Sequence, residues 1–234
     1  MSTGLAVLVH GAWHGSWMWD PIVPVLRSLD VETVTVDLPS THLGGDLHDD
    51  VRAVRDLVLA QDREAVLVGH SYGGIVISEA VAELPSVRHL VYLCAFMLDV
   101  GESLIDAVGG PVDWLDIDDT AGTIEAADPE RVFYGDLPAE LSARYTERLR
   151  PQSIASFAQP LTTTAWRDTD STYLICSQDE AIPPALQRSM AARATHRHEL
   201  ASSHSPVASC PQEVAALIAG VADPMLSTSP ATRS

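Results

Sequence analysis

The 234-residue chain contains no lysine; all 14 of its basic side chains are arginine. That absence excludes any mechanism built on a lysine amine, Schiff bases included. Basic charge is scarce altogether, since 32 Asp and Glu against 14 Arg give a formal net charge of −18. A surface so acidic repels phosphates and anionic lipids, so neither nucleic acid nor membrane is expected as a partner. Cysteine is sparse and odd in number: Cys94, Cys176 and Cys210. This argues against a disulfide framework and for a reducing, cytoplasmic setting. Cys94 and Cys176 fall in predicted strands and read as small core residues. No stretch approaches membrane-span length, and Met1-Ser2-Thr3-Gly4 puts no positive charge ahead of the short apolar run 5–9, so no secretory leader is expected. Neither G-x-G-x-x-G nor a P-loop pattern occurs, so no nucleotide cofactor is indicated. The expectation is a chain without a cofactor.

What is present centres on Ala65-Val66-Leu67-Val68-Gly69-His70-Ser71-Tyr72-Gly73-Gly74. An apolar run of strand length enters a turn that fits G-x-S-x-G, and a mostly apolar segment of helix length, 74–84, follows. Strand, tight turn and buried helix are the context of a nucleophile elbow. A serine held in such a turn needs neighbours without side chains. The helix start behind Ser71 offers unpaired N–H groups to an oxyanion.

Further apolar runs predict strands at 5–10, 33–36, 87–93, 172–177 and 197–200. Helices are expected at about 16–29, where Pro21 and Pro24 blur the start, and at 47–60, 184–193 and 211–221. Alternating strands and helices predict an α/β fold, a parallel sheet of about six strands with helices on both faces. The core spans 1–98 and 166–222. Residues 99–165 contain no strand-like run and read as an inserted, mainly helical cap, with helices at 138–149 and 154–157. Residues 223–234 are expected to be disordered.

Ligands of such sheets bind beyond the carboxyl ends of the strands. That rule brings together Gly11 to Trp13, Ser71, the segment 95–99, the segment 178–182 and the loop after Leu200. A serine hydroxyl needs a base there, and the base needs an orienting carboxylate. His204, in Ser202-Ser203-His204-Ser205-Pro206, is the candidate base. Asp179 is the preferred carboxylate, with Glu180 and Asp99 as rivals. The order Ser71, Asp179, His204 is that of α/β-hydrolase triads. Two backbone N–H groups must converge on the oxyanion, one from Tyr72 and one from Ala12. His10 is expected to buttress the loop that carries Ala12, and His14 to line the pocket. His70 reads as a satisfied packing residue, and His42, His48, His89, His196 and His198 as surface or packing residues. The carboxylate run 113–119 lacks the Gly and Glu of an EF-hand, and the pair His196 and His198 lacks a third ligand. No metal is expected.

These residues resemble the α/β-hydrolase superfamily over nearly the whole chain. More narrowly, His10-Gly11-Ala12-Trp13-His14-Gly15-Ser16-Trp17-Met18-Trp19, Gly69-His70-Ser71-Tyr72-Gly73-Gly74 and Ile182-Pro183-Pro184 resemble the plant methylesterase and hydroxynitrile lyase branch with its bacterial esterase relatives. In that branch the lyases carry threonine where this chain has Gly11 and lysine where it has Ser205. Both departures favour ester hydrolysis, with Gly11 leaving room for water and an ester group beside Ser71. The resemblance implies a carboxylesterase-like enzyme without a cofactor. Thioester, lactone or C–C bond cleavage by the same triad, or a ligand receptor without turnover, are the alternatives. All three phenylalanines lie between 96 and 157. Gly11, Trp13, His14, Phe96, Trp114 and Phe133 are the expected pocket residues, with Met97, Leu98, Leu137 and Phe157 as further candidates. That lining suits a small, uncharged, hydrophobic molecule. The oligomeric state is left open, a dimer included.

Overall fold

The computed structural model describes residues 4–42, 44–82, 84–109 and 112–222. The tail expected to be disordered, 223–234, lies outside them. In chain order the strands are β1 (Gly4–Val9), β2 (Val31–Thr35), β3 (Ala65–His70), β4 (Val87–Leu93), β5 (Leu115–Asp118), β6 (Thr123–Ala126), β7 (Gln152–Ser153), β8 (Ser171–Cys176) and β9 (His196–Leu200). Six of them form one parallel sheet in the order β2-β1-β3-β4-β8-β9.

The period of two along each strand explains why the central runs are apolar throughout. Leu5, Val7, Leu67, Leu90 and Tyr92 join one core, with Val54 and Val58 of the helix Leu47–Leu59 and Ile75 of the helix Gly73–Ala80. Ala6, Leu8, Val66, Val68, Val91 and Leu93 join the other, with Leu26, Val214 and Ile218. A strand covered on both faces has no position for a polar side chain. The edge strand β9 is different. Its His196, Arg197, His198 and Glu199 are exposed, and such charge discourages edge-to-edge pairing.

The single helix expected at 16–29 is two elements, a 3-10 turn Ser16–Trp19 and a helix Val23–Ser28. Pro21 and Pro24 lack the N–H groups that a continuous helix would need there, and Pro24 sits in the first turn of the second piece, where none is required.

Residues 99–165 carry the helices Leu104–Val108, Pro129–Tyr134, Ala139–Thr146 and Ile154–Ala158, so helix predominates there as expected. The expectation that this stretch holds no strand is corrected: β5, β6 and β7 make a small antiparallel sheet. Leu115 and Ile117 alternate with Asp116 and Asp118 on a largely exposed hairpin, so carboxylates conceal a four-residue strand. Asp118 Oδ1 accepts from the N–H groups of Thr120 and Ala121 at 2.9 Å each, which turns the chain into β6. Among the described residues no helix is long and apolar enough to cross a membrane.

Candidate active site

Ser71 follows directly on β3 and precedes the helix Gly73–Ala80, with φ +53°. That left-handed conformation costs a non-glycine residue roughly 1–2 kcal/mol. Backbone bonds hold it: Ser71 N–H donates to Leu93 O at 3.2 Å, and Ser71 O accepts from Gly74 N at 3.0 Å and Phe96 N at 3.1 Å. The flanking glycines are required by close approach. A Cβ on Gly73 would lie 2.5 Å from Val9 O, and one on Gly69 would lie 2.7 Å from Gly73 O.

The loops after β8 and β9 bring Asp179 and His204 together. His204 Nδ1 lies 2.7 Å from Asp179 Oδ2, and both side chains are buried. Asp179 is fixed on all sides. Its Oδ1 accepts from the N–H groups of Ala181 and Ile182 at 2.7 and 2.9 Å, and its Oδ2 also accepts from Gln187 Nε2 at 2.8 Å. A carboxylate in that position makes Nδ1 the protonated nitrogen and leaves the Nε2 lone pair free. The rivals are engaged elsewhere on the surface, Glu180 with Arg131 and Asp99 with Arg167.

Ser71 and His204 line one cavity of about 30 Å3. Among the described residues no hydrogen bond joins the Ser71 hydroxyl to His204, a looseness common in resting sites before a ligand tightens them. Ala12 and Tyr72 line the same cavity. Among the described residues neither of their backbone N–H groups donates to a protein acceptor. Trp13, Phe96, Trp114, Phe133 and Phe157 contribute to the wall, and among the described residues no Asp, Glu or Arg does. Trp13 is its centre. It stacks on Phe133 at 5.4 Å, meets Trp114 and Phe157 edge-on, and donates Nε1–H to Ile124 O at 2.8 Å.

Two expected pocket residues lie behind the wall. Gly11 does not open space beside Ser71; it lets the loop close on the elbow, because a Cβ there would lie 2.8 Å from His70 Nδ1 and 2.9 Å from Ser71 Cβ. His14 belongs to a separate, smaller crevice with Trp17 and Tyr134. Its Nδ1 bonds Ala12 O at 2.8 Å and its Nε2 bonds the Tyr134 hydroxyl at 2.8 Å. The carbonyl can only accept, so Nδ1 carries the proton. Burial holds the His14 ring neutral, with a pKa lowered to about 3. His14 thus braces the loop that carries Ala12, the task assigned to His10. His10 does so as well: Nδ1 donates to Gly11 O at 2.8 Å while Nε2 accepts from Leu38 N at 3.0 Å. Met97, Leu98 and Leu137 are absent from the lining.

His70 is only half satisfied. Its Nε2 donates to His204 O at 2.7 Å, whereas its buried Nδ1 has no partner among the described residues. Burial, then the neighbouring His204, push its pKa well below the ordinary histidine value. His70, Cys94 and His204 bring potential metal-ligand atoms within 4.8 Å of one another. The donor set does not suit an ion. Cys94 donates its thiol to His204 O at 3.4 Å, and burial raises that thiol away from the thiolate a metal needs. Sequence reading also missed Gln187 and Asp136. Asp136 accepts from the Ser203 N–H at 2.9 Å and from its hydroxyl, which fixes the loop before His204. A glutamine one turn past Ile182-Pro183-Pro184 is a weak signal for the first, and nothing near Asp136 signals the second.

The fold has counterparts among known proteins. The profile of the Alpha/beta hydrolase family matches residues 6–217. An alpha/beta hydrolase of Aspergillus novofumigatus is 30% identical over 92% of this chain and 95% of its own length. Methylesterase 7 of Arabidopsis thaliana is 27% identical over 93% of this chain and 95% of its own. Among solved structures, a pyrethroid hydrolase from Sphingobium faniae superposes with a TM-score of 0.83 at 26% identity, covering 95% of this chain and 98% of that one. The chain belongs to the alpha/beta hydrolase family of enzymes.

Proposed function

We propose that the protein is a serine carboxylester hydrolase acting on small, uncharged, hydrophobic esters. One observation carries the reading: a serine, an Asp-oriented imidazole, and Ala12 and Tyr72, whose N–H groups have no acceptor among the described residues, line the same cavity. Ser71 Oγ attacks the ester carbonyl as His204 Nε2 takes its proton. The N–H groups of Ala12 and Tyr72 receive the oxyanion. His204 returns the proton to the departing alcohol, and the acyl group stays on Ser71. A water molecule then loses a proton to His204, attacks the acyl carbon, and frees the acid and Ser71. Asp179 keeps Nδ1 protonated throughout and stabilises the imidazolium. Relatives named methylesterase and pyrethroid hydrolase support an ester substrate.

Residues 99–165 act in this reading as a cap, because Leu104, Trp114, Leu115, Phe133 and Phe157 close the cavity over Ser71. Such a wall binds by apolar area and opposes a desolvated anion. Neutral aryl esters of rising acyl length should therefore exceed carboxylated analogues in kcat/KM by roughly 100-fold, the equivalent of about 2.7 kcal/mol of uncompensated charge burial. Steady-state kinetics on the two series test this. Higher kcat/KM for the charged series would refute the substrate class, and a clear preference for thioesters with matched leaving groups would refute the ester reading.

A further inference from the structure

The proposed chemistry leaves unused a buried polar network that runs behind the oxyanion donors. It starts at the Tyr72 phenol, which donates to Asp50 Oδ2 at 2.6 Å. Ser40 donates to the same carboxylate twice, from N–H to Oδ1 at 2.9 Å and from its hydroxyl to Oδ2 at 2.5 Å. The Ser40 hydroxyl accepts from Gln152 Nε2 at 2.8 Å. Gln152 Oε1 in turn accepts from the Trp13 N–H at 3.3 Å and from the Thr41 hydroxyl at 2.9 Å. The second amide hydrogen of Gln152 goes to Ser156 Oγ at 2.7 Å. Tyr72, Asp50 and Gln152 are fully buried.

The bond directions leave one arrangement. Ser40 gives its hydroxyl proton to Asp50, and Ser156 gives its own to Ser153 O, so each has only lone pairs left for Gln152. The amide nitrogen must face them, and the amide oxygen must face Trp13. All four hydrogen-bonding positions of Gln152 are filled. An apolar contact could fill this space without such directional demands, so the network specifies orientation in addition to occupying volume.

Its two ends are what give it a function. One is the side chain of Tyr72, whose own N–H is one oxyanion donor. The other grips Trp13, whose peptide adjoins Ala12, the second donor. Beside each donor stands a non-glycine residue in the left-handed region, Ser71 at φ +53° and Trp13 at φ +65°. Residues in that region relax unless their surroundings hold them. An oxyanion hole, in contrast, tolerates only about 0.5 Å of drift between its donors.

We infer that Asp50 and Gln152 are positioning residues that fix the two oxyanion donors relative to each other. This rests on the serine-hydrolase reading above. Gln152 lies in β7, within residues 99–165, so that insertion contributes to the geometry of the oxyanion hole as well as to the pocket wall.

The test uses the full chain and its variants Tyr72→Phe, Gln152→Met and the double variant. Each is titrated with a fluorophosphonate so that rates refer to active sites, then assayed on p-nitrophenyl butyrate. Each single substitution should lower kcat at least tenfold with KM within twofold of wild type. The double variant should fall little below the worse single one, because both cut the same chain. A network serving stability alone would lower the melting temperature and leave kcat per titrated site unchanged. That result, or a rise in KM at intact kcat, would overturn the inference. Tyr72→Phe removes a single oxygen and decides the matter if Gln152→Met fails to fold. A wild-type protein that neither hydrolyses the ester nor titrates would overturn the serine-hydrolase reading itself, which an active wild type with indifferent variants would not.

Discussion

Replacing Ser71 by alanine is expected to lower kcat on a neutral aryl ester by roughly 10^4 to 10^6-fold. The fold should survive. The backbone bonds that hold the elbow run through Ser71 N and O and do not involve the hydroxyl. Alanine meets the same left-handed strain as serine at this position, so no new conformational cost arises. A residual rate above the uncatalysed one should remain, because the Ala12 and Tyr72 donors and the apolar wall are untouched. KM should change little. Initial rates and thermal melts of the purified variant check both halves of the prediction. A rate within tenfold of wild type would move the nucleophile elsewhere.

The second large effect is expected at Asp179, and its cause is a proton rather than a lost contact. In Asp179→Asn the side chain keeps its volume but has one acceptor and one donor group. Two backbone N–H groups, from Ala181 and Ile182, face one oxygen, and His204 Nδ1 and Gln187 Nε2 face the other. The amide oxygen belongs against the two main-chain donors, which cannot rotate away. The amide NH2 then points at His204 Nδ1 and forces that nitrogen to become the acceptor. The proton moves to Nε2, the atom that must accept from Ser71, and kcat should fall by roughly 10^3 to 10^4-fold. Histidine Nδ1–H signals in the proton NMR spectrum should show the tautomer change alongside the kinetics. Retained activity with an unchanged tautomer would mean that Asp179 does not orient the base.

Much of this was legible in the chain because its signals are local. A strand buried on both faces must be apolar at every position, so β1, β3, β4 and β8 stand out as runs. The elbow needs Gly69 and Gly73 within four residues of each other, since side chains there would collide with neighbouring backbone. Chain order and strand ends then point to His204 as the candidate base and to Asp179, ahead of Glu180 and Asp99, as the candidate carboxylate. The misreadings share a different cause. The hairpin of β5 and β6 was hidden because its alternation is written in Asp and Ile on an exposed surface. His14 and Gly11 sit next to the pocket residues in sequence, but which way each faces depends on Tyr134 and His70. The network behind the oxyanion donors joins Ser40 to Gln152 across 112 residues. No periodicity or spacing encodes such a pairing; only the folded packing of residues 99–165 onto the helix Pro39–His42 creates it.

Covalent labelling tests the central claim most directly, that Ser71 is a nucleophile activated by His204 and Asp179. The protein is incubated at neutral pH with a fluorophosphonate, digested, and mapped by peptide mass spectrometry. The account predicts a single phosphonyl adduct on Ser71, formed far more slowly in Asp179→Asn and absent in Ser71→Ala. An unlabelled protein, or an adduct on any other residue with Ser71 intact, would contradict it.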